Sequence, residues 1–394
     1  CASGKFNKVN DSQSCTDCGH GQFQASPGKT HCDPCGPGSA TIATGASQCT
    51  PCSPGSATNS TGQQTCGGCP AGTFQNLAGQ VSCKPCPRGE ANSATGQSAC
   101  ASCTGGHFAN VTGLLNCYSC PIGKFQPQSA QSFCQLCSVG TFTADPGVTA
   151  CTPCSPGFFT AINGTTACAR CGKGTYQDQP QQSHCVQCPK GTASDVDGLT
   201  QCPECQPGTF ANITGLLKCY SCGFGTFQSQ PGASKCTLCG RGTFSQQTGL
   251  SVCSECPAGK FTNSSGTQVC TDCLPGTVQS QTGQTSCDLC TVGTYIGSGG
   301  QRACLSCPTG RAVNLTGQSQ CQQCPKGSFQ SLPGELSCTA CAKGDFNPSV
   351  EQPACTQCVP GKFSNHSAST ECFDCPSGRF QSLPGQSTCS PCGT

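Results

Sequence analysis

The motif Cys-x-x-Cys recurs every 17 residues along the whole chain, without an insertion or a deletion. There are 23 such pairs, from Cys15–Cys18 to Cys389–Cys392, and Cys1 fits as the second half of a further pair. Self-similarity at a fixed period is typical of repeat proteins. A repeat this short cannot bury a core alone, so neighbouring repeats must be linked and stacked. We therefore expect one continuous array over residues 1–394, with about 23 repeats. Because both ends cut into a repeat, we interpret the chain as a mature or trimmed segment of a longer array.

Composition excludes an ordinary globular fold. The 394 residues include no Trp and no Met, 19 Phe and 4 Tyr, whereas Cys contributes 47, Gly 52 and Pro 29. Gly and Pro disfavour helices, and so much Cys is typical of disulfide scaffolds in oxidising compartments. The net charge of +2 is spread thinly, which argues against nucleic-acid binding, and no segment is apolar enough to span a membrane. The sequence predicts a disulfide-rich, small-β or irregular linear array, a solenoid-like rod with essentially no helix, secreted to the extracellular space or cell surface.

Three further positions recur in each repeat, and we count them from the second cysteine of the pair, which is position 0. Position 3 is always Gly, from Gly4 to Gly378. This indicates a positive φ or a backbone pressed against a neighbour. Position 5 is aromatic in 17 of 23 repeats, and we expect it to form the small core of the repeat. A second Gly at position 10, such as Gly28, predicts the turn of a hairpin with two strands of three or four residues.

The simplest periodic disulfide scheme joins the second cysteine of one pair to the first cysteine of the next. The pairs are Cys1–Cys15, Cys18–Cys32, Cys35–Cys49, Cys52–Cys66 and Cys69–Cys83, continuing every 17 residues to Cys375–Cys389. Cys392 is then left over, for a repeat beyond the end. Each bridge closes a loop of 13 intervening residues, worth roughly 3 kcal/mol in the chain-entropy model.

Zinc binding is the main alternative, because C-x2-C-x13-C-x2-C is near the spacing of four-thiolate sites. Such sites use cysteine pairs two at a time and predict a 34-residue period, which the sequence does not show. A thioredoxin-like function needs a single pair beside a βαβ unit. We therefore expect no metal site and no cofactor.

Two markers define a longer period of 51 residues, or three repeats. The first is a set of N-glycosylation sequons, which imply secretion and an exposed loop: Asn10, Asn59, Asn110, Asn163, Asn212, Asn263, Asn314 and Asn365. The second is a Gln at position 6 of the repeat that follows each sequon: Gln24, Gln75, Gln126, Gln177, Gln228, Gln279, Gln330 and Gln381.

Either ancestry or geometry accounts for the 51-residue period. Duplication of a three-repeat block is one explanation, since residues 106–120 recur almost unchanged at 208–222. A rotation of about a third of a turn per repeat is the other. It would place the glycans along one side and the Gln residues along another stripe, leaving a glycan-free face for a partner. The Gln amides could instead satisfy local backbone groups.

The repeat C-x-x-G-[TK]-[FY]…C, joined through C-x-x-C, resembles ephrin-receptor-like cysteine-rich repeats over the whole chain. Its loop is similar to the first loop of tumour-necrosis-factor-receptor cysteine-rich modules, which supports the pairing of Cys18 with Cys32 and its equivalents. The resemblance implies an extracellular, glycosylated, non-catalytic region. Receptor modules vary their spacing, whereas this chain is uniform.

We find no catalytic constellation, and we predict that the chain is not an enzyme. The five His residues are scattered, and Asp195 with Asp197 is the closest carboxylate pair of note, which we interpret as a surface loop. The favoured function is a stiff glycosylated rod in a filament, surface hair or coat, with its own copies or other coat proteins as partners. The alternatives are a stalk for a receptor or adhesin, and a multivalent protein- or carbohydrate-binding surface.

Overall fold

The computed structural model describes residues 1–8 and 14–393. Within these ranges there is no helix, and the regular structure consists of two-stranded antiparallel sheets. The chain divides into two compact units, the first comprising Cys1–Cys188 and Asp195–Cys202 and the second Pro189–Ser194 and Pro203–Thr394. The expected fold class, a disulfide-rich small-β repeat array with 17-residue repeats, is confirmed.

Each repeat folds into one short hairpin. Its first strand covers positions 4 and 5, and its second strand is the pair of residues between the cysteines of the next Cys-x-x-Cys. In the first repeat Lys5 pairs with Asp17, and Phe6 pairs with Thr16. The expected strand length of three or four residues is wrong, because the flanking cysteines limit the second strand to two residues.

The strand bounds follow the 17-residue period in both compact units. In the first unit the paired strands are Lys5–Phe6 with Thr16–Asp17, Gln22–Phe23 with Asp33–Pro34, Ser39–Ala40 with Thr50–Pro51, Ser56–Ala57 with Gly67–Gly68, Thr73–Phe74 with Lys84–Pro85, Glu90–Ala91 with Ala101–Ser102, His107–Phe108 with Tyr118–Ser119, Lys124–Phe125 with Gln135–Leu136, Thr141–Phe142 with Thr152–Pro153, Phe158–Phe159 with Ala169–Arg170, and Thr175–Tyr176 with Val186–Gln187. In the second unit they are Thr209–Phe210 with Tyr220–Ser221, Thr226–Phe227 with Thr237–Leu238, Thr243–Phe244 with Ser254–Glu255, Lys260–Phe261 with Thr271–Asp272, Thr277–Val278 with Asp288–Leu289, Thr294–Tyr295 with Leu305–Ser306, Arg311–Ala312 with Gln322–Gln323, Ser328–Phe329 with Thr339–Ala340, Asp345–Phe346 with Thr356–Gln357, Lys362–Phe363 with Phe373–Asp374, and Arg379–Phe380 with Ser390–Pro391.

One hairpin is reduced to an isolated bridge between Thr192 and Glu204. The amide of Ala193 donates to the carbonyl oxygen of Pro203 at 3.2 Å. Proline has no N–H with which to return that bond. The substitution of Pro at this position therefore explains the loss of the second strand.

The interior of the array is formed by the second cysteine of each pair and by the side chain at position 6. Ala109, Ala211 and Ser245 at position 6 are fully buried, as are almost all of the position-0 cysteines. The aromatic residues at position 5 are mostly half-buried. The expectation that they form the core is therefore met only in part. Position 6 is buried more deeply, and position 5 packs against it, as Tyr295 does beside Val313.

Successive repeats are joined by four backbone hydrogen bonds at each junction. At the junction between the repeats of Cys18 and Cys35, Gly21 N donates to Thr41 O at 2.8 Å and Gln24 N donates to Ala46 O at 3.1 Å. In the same junction Cys35 N donates to Gly21 O and Gly45 N donates to Cys18 O, both at 2.8 Å. The pattern recurs at the described junctions within each compact unit. At about 1 kcal/mol net per hydrogen bond, the four bonds of one junction contribute about as much stability as one disulfide.

The Gly at position 3 also contacts the second repeat along the chain. All of these glycines have positive φ. A Cβ built on Gly55 would lie 2.2 Å from the carbonyl oxygen of Gly96, which is at position 10 two repeats later. Equivalent distances are 2.1 Å at Gly4 and 2.0 Å at Gly242. Position 3 therefore satisfies both expectations from the sequence, a left-handed conformation and a close backbone approach.

Position 10 needs the left-handed conformation but leaves room for a side chain. The Gly residues there have positive φ, as the predicted turn requires. Among the described residues, the non-Gly residues with positive φ are Ala130, Gln181, Glu351 and Ala368, and all four occupy this position. A Cβ on Gly96 would meet no atom within 4 Å.

Candidate functional site

The described cysteines form 23 disulfides in the serial arrangement, each with a sequence separation of 14. They include Cys1–Cys15, Cys18–Cys32, Cys35–Cys49, Cys52–Cys66 and Cys69–Cys83, and they continue to Cys375–Cys389. The Cα–Cα distances run from 5.4 Å to 5.8 Å, the usual range for a disulfide. Cys392 is free and exposed.

This pairing removes the thiolates that a zinc site would need, since bridged sulfurs are not thiolate ligands. Among the described residues, no group of three or more His, Cys, Asp or Glu side chains could hold a metal ion. Asp195 and Asp197 are exposed on a loop, as expected.

The sequon asparagines lie on the surface wherever the structure describes them. Asn59, Asn110, Asn163, Asn212, Asn263, Asn314 and Asn365 are all exposed. Asn10 lies outside the described residues. At Asn163 the side-chain oxygen accepts a hydrogen bond from the amide of Val139 at 3.0 Å, which leaves the amide nitrogen for a sugar.

The Gln side chains of the 51-residue period point inward. Gln24, Gln75, Gln126, Gln177, Gln279 and Gln330 are buried, and Gln228 and Gln381 are partly buried. They do not form an exposed stripe, because position 6 faces the interior in every described repeat. Each side-chain amide instead forms hydrogen bonds with the backbone of its own loop, which we call the Gln brace. This agrees with the alternative expectation that the Gln amides satisfy local backbone groups.

The brace has the same geometry in all eight repeats. In Gln126, which is 1 % exposed, Nε2 donates to the carbonyl oxygen of Phe133 at 2.8 Å, and Oε1 accepts from the amide of Gln128 at 3.1 Å. Gln228 makes the equivalent bonds at 2.8 Å and 2.9 Å in a more exposed setting. The Gln thus satisfies a carbonyl seven residues ahead and an amide two residues ahead, both of which the short hairpin leaves unpaired.

Sequence analysis missed an ion pair that spans two repeats. Arg311 Nε donates to Glu351 Oε1 at 2.5 Å, and Gln323 Nε2 donates to Glu351 Oε2 at 2.9 Å. The hydrogen bond from Arg311 holds the pKa of Glu351 below its ordinary value, and the same bond raises the pKa of Arg311. Glu351 occupies position 10, so its side chain adds a charged contact where other repeats have Gly. The sequence feature that could have predicted this ion pair is an acidic residue at a position usually occupied by Gly, 40 residues after an Arg.

Two open grooves are lined by neutral side chains, whereas a third, beside Asn92, includes His107. The groove beside Ala40 and Ile42 has a volume of about 570 Å³ and is lined by short neutral side chains. A second groove, beside Asn59 and Val81, has a volume of about 750 Å³ and is also lined by neutral groups. Across residues 1–8 and 14–393 there is no helix with the length and apolar character of a membrane span.

Comparison with known families supports the architecture. The family described as tyrosine-protein kinase ephrin type A/B receptor-like matches residues 55–103, 106–154, 123–167, 191–239, 230–273, 242–286 and 276–314, which together cover more than half of the chain. A comparison with curated proteins found no match. The repeats of this family are non-catalytic extracellular modules, and with the disulfides they indicate an extracellular structural or stalk-like role. The chain belongs to the ephrin type A/B receptor-like family of cysteine-rich repeats.

Proposed function

We propose that this chain is an N-glycosylated structural segment of an extracellular filament, surface hair or coat. It acts as a stiff element that packs laterally or end to end with other copies or with other coat proteins. The observation that carries the proposal is the junction between repeats. Each junction has four backbone hydrogen bonds, and each repeat has one disulfide and a Gly that contacts the repeat two further along the chain. Together these contacts leave little freedom to bend at any junction within a compact unit.

The surface chemistry supports assembly without catalysis. Leu, Ile and Val side chains are exposed at intervals along the array, for example Leu77, Leu238 and Leu332. Scattered exposed apolar residues of this kind can be covered by a neighbouring copy. The exposed sequons recur about once per three repeats. Glycans at these sites would cover parts of the surface and leave other parts free to contact a neighbouring copy. Whether they follow one side depends on the rotation per repeat, which stays a prediction.

A stalk that holds a binding domain away from a membrane is the second candidate, and the family match favours it, since the family is described as receptor-like. The two functions differ in what the native material looks like. Electron microscopy of native material should show fibres of constant width in which several copies run side by side. Isolated single chains attached to a globular head would overturn the filament and support the stalk.

A further inference from the structure

Three of the sequon-bearing repeats carry a pair of aromatic rings in which the second ring is exposed. The pairs are Phe108 with Tyr118, Phe210 with Tyr220, and Phe363 with Phe373, with ring centroids 5.9 Å, 5.9 Å and 6.4 Å apart. In the described part of the chain, every aromatic ring pair lies in a repeat with a sequon. In each hairpin the two rings belong to directly opposed residues of the two strands.

The asparagine of the sequon lies on the same side of the chain as the first ring. In Phe108-Ala109-Asn110 the middle residue is fully buried, whereas Phe108 is half-buried and Asn110 is exposed. An extended segment alternates its side chains, so the ring and the asparagine two residues later lie on the same side of the strand. Phe210 and Asn212 flank a fully buried Ala211, and Phe363 and Asn365 flank a fully buried Ser364.

The second ring of each pair is left open to solvent. Tyr118 is 51 % exposed, Tyr220 is 49 % exposed and Phe373 is 45 % exposed. Position 15 carries a small or polar residue in most other repeats, such as Thr16 or Ala169. Duplication accounts for the likeness of the first two pairs. The third pair recurs in a repeat whose loop has a different sequence, FSNHSASTECFDC.

We propose that these ring pairs are platforms for the first N-acetylglucosamine of the glycans on Asn110, Asn212 and Asn365. One face of this sugar consists of C–H groups, and an aromatic face carries the negative part of the ring quadrupole, so the two surfaces are complementary. The sugar covers apolar area that is otherwise in water, and its hydroxyl groups stay solvated. A docked first sugar fixes the direction in which the rest of the glycan leaves the array. This inference rests on the glycosylation in the proposed function.

The chain contains a graded set of internal controls. Asn263 follows Phe261, but Thr271 is the cross-strand partner, so this site has one ring. Asn59 follows Ala57 and Asn314 follows Ala312, and neither hairpin contains a ring. The sites therefore have two rings, one ring or none on the same scaffold.

The test is the rate at which peptide N-glycosidase releases each glycan from the native secreted protein, with occupancy first measured on denatured glycopeptides. Release at the two-ring sites should be about three- to tenfold slower than at Asn59 and Asn314, in line with the strength of aromatic contacts. Tyr220→Ala leaves Phe210 in place, so it should bring Asn212 to the rate of the one-ring site Asn263 and leave Asn110 unchanged. Because Ala169 occupies the equivalent position, this variant retains a side chain that the hairpin already accepts.

The outcomes separate this inference from the proposed function. If the denatured glycopeptides carry no sugar at these asparagines, glycosylation itself fails and the platform fails with it. If the sites are occupied but release is equally fast at all of them, or if Tyr220→Ala changes nothing, the platform is overturned and the glycosylated segment stands.

Discussion

Position 3 of one repeat contacts position 10 of the repeat two further along the chain. This contact predicts that a Gly→Ala substitution destabilises the array strongly at position 3 and only weakly at position 10. Gly55 and Gly96 are the two partners, with φ of +88° and +73°. In Gly55→Ala the new Cβ would lie 2.2 Å from the carbonyl oxygen of Gly96, whereas in Gly96→Ala it would meet nothing within 4 Å. Both variants place an Ala in the left-handed region, which costs about 1 kcal/mol. Only Gly55→Ala also adds a steric clash with backbone.

The expected magnitudes follow from that clash. Overpacking costs about 1–3 kcal/mol, and a displaced backbone weakens several junction hydrogen bonds of about 1 kcal/mol each. Gly55→Ala should therefore cost about 3–6 kcal/mol and Gly96→Ala about 1 kcal/mol. The amide of Cys69, which donates to Gly55 O at 2.8 Å, reports on the junction in both variants.

Native-state hydrogen exchange measures this opening directly, since such proteins open locally and one global free energy of unfolding is not defined. Protection at Cys69 should fall about fivefold in Gly96→Ala and more than a hundredfold in Gly55→Ala, at 1.4 kcal/mol per factor of ten. Equal losses in the two variants would refute the contact as the reason for an invariant Gly at position 3.

Three further predictions concern the brace, the reduced hairpin and the ion pair. Gln126→Leu should destabilise its repeat by about 1–3 kcal/mol, because it removes the two hydrogen bonds that the buried Gln126 amide makes with Phe133 O and Gln128 N. The same change at the more exposed Gln228 should cost less, and local hydrogen exchange that shows equal costs would contradict the brace. Pro203→Thr should supply the missing N–H and complete the hairpin, which a protected amide at residue 203 would demonstrate and an unprotected one would disprove. The folded-state pKa of Glu351 is lowered, so its bond with Arg311 stabilises the array fully above the ordinary pKa near 4.5 and is lost as the pH falls through the folded value. Hydrogen-exchange protection of the amide at residue 351 should therefore decrease at acid pH in the parent protein. In Glu351→Gln this protection should not depend on pH. The same decrease in both proteins would exclude the ion pair as its cause.

Sequence patterns predict the covalent framework well because the spacing of the cysteines leaves few periodic pairings. They also predict the conformation of the position-3 glycines, since a slot that never accepts a side chain implies a backbone constraint. The contact between position 3 and position 10 two repeats later can be identified only from the three-dimensional structure. The sequence nevertheless contains one indication of it. Position 10 accepts Ala130 and Glu351, whereas position 3 accepts no side chain.

The interior could not be predicted in the same way. Aromatic residues at position 5 are the largest apolar groups in a repeat, so they are the natural choice for a core. Position 6 carries Gln, Thr, Asn, Ser, Ala, Val or Ile, and its polar members look solvent-exposed in a sequence. The structure buries position 6 because its polar side chains are satisfied locally. The side-chain amide of Gln75, for example, donates to Ser82 O and accepts from Leu77 N.

The central claim, a serially cross-linked and N-glycosylated array, is tested most directly by peptide mapping of the native protein without reduction. N-glycosidase treatment in H₂¹⁸O marks each asparagine that carried a sugar. We expect crosslinks only between cysteines 14 residues apart, from Cys1–Cys15 to Cys375–Cys389, and ¹⁸O-labelled aspartate at the exposed sequons. Crosslinks between other cysteines, a free thiol at any cysteine other than Cys392, or unmarked asparagines would contradict it.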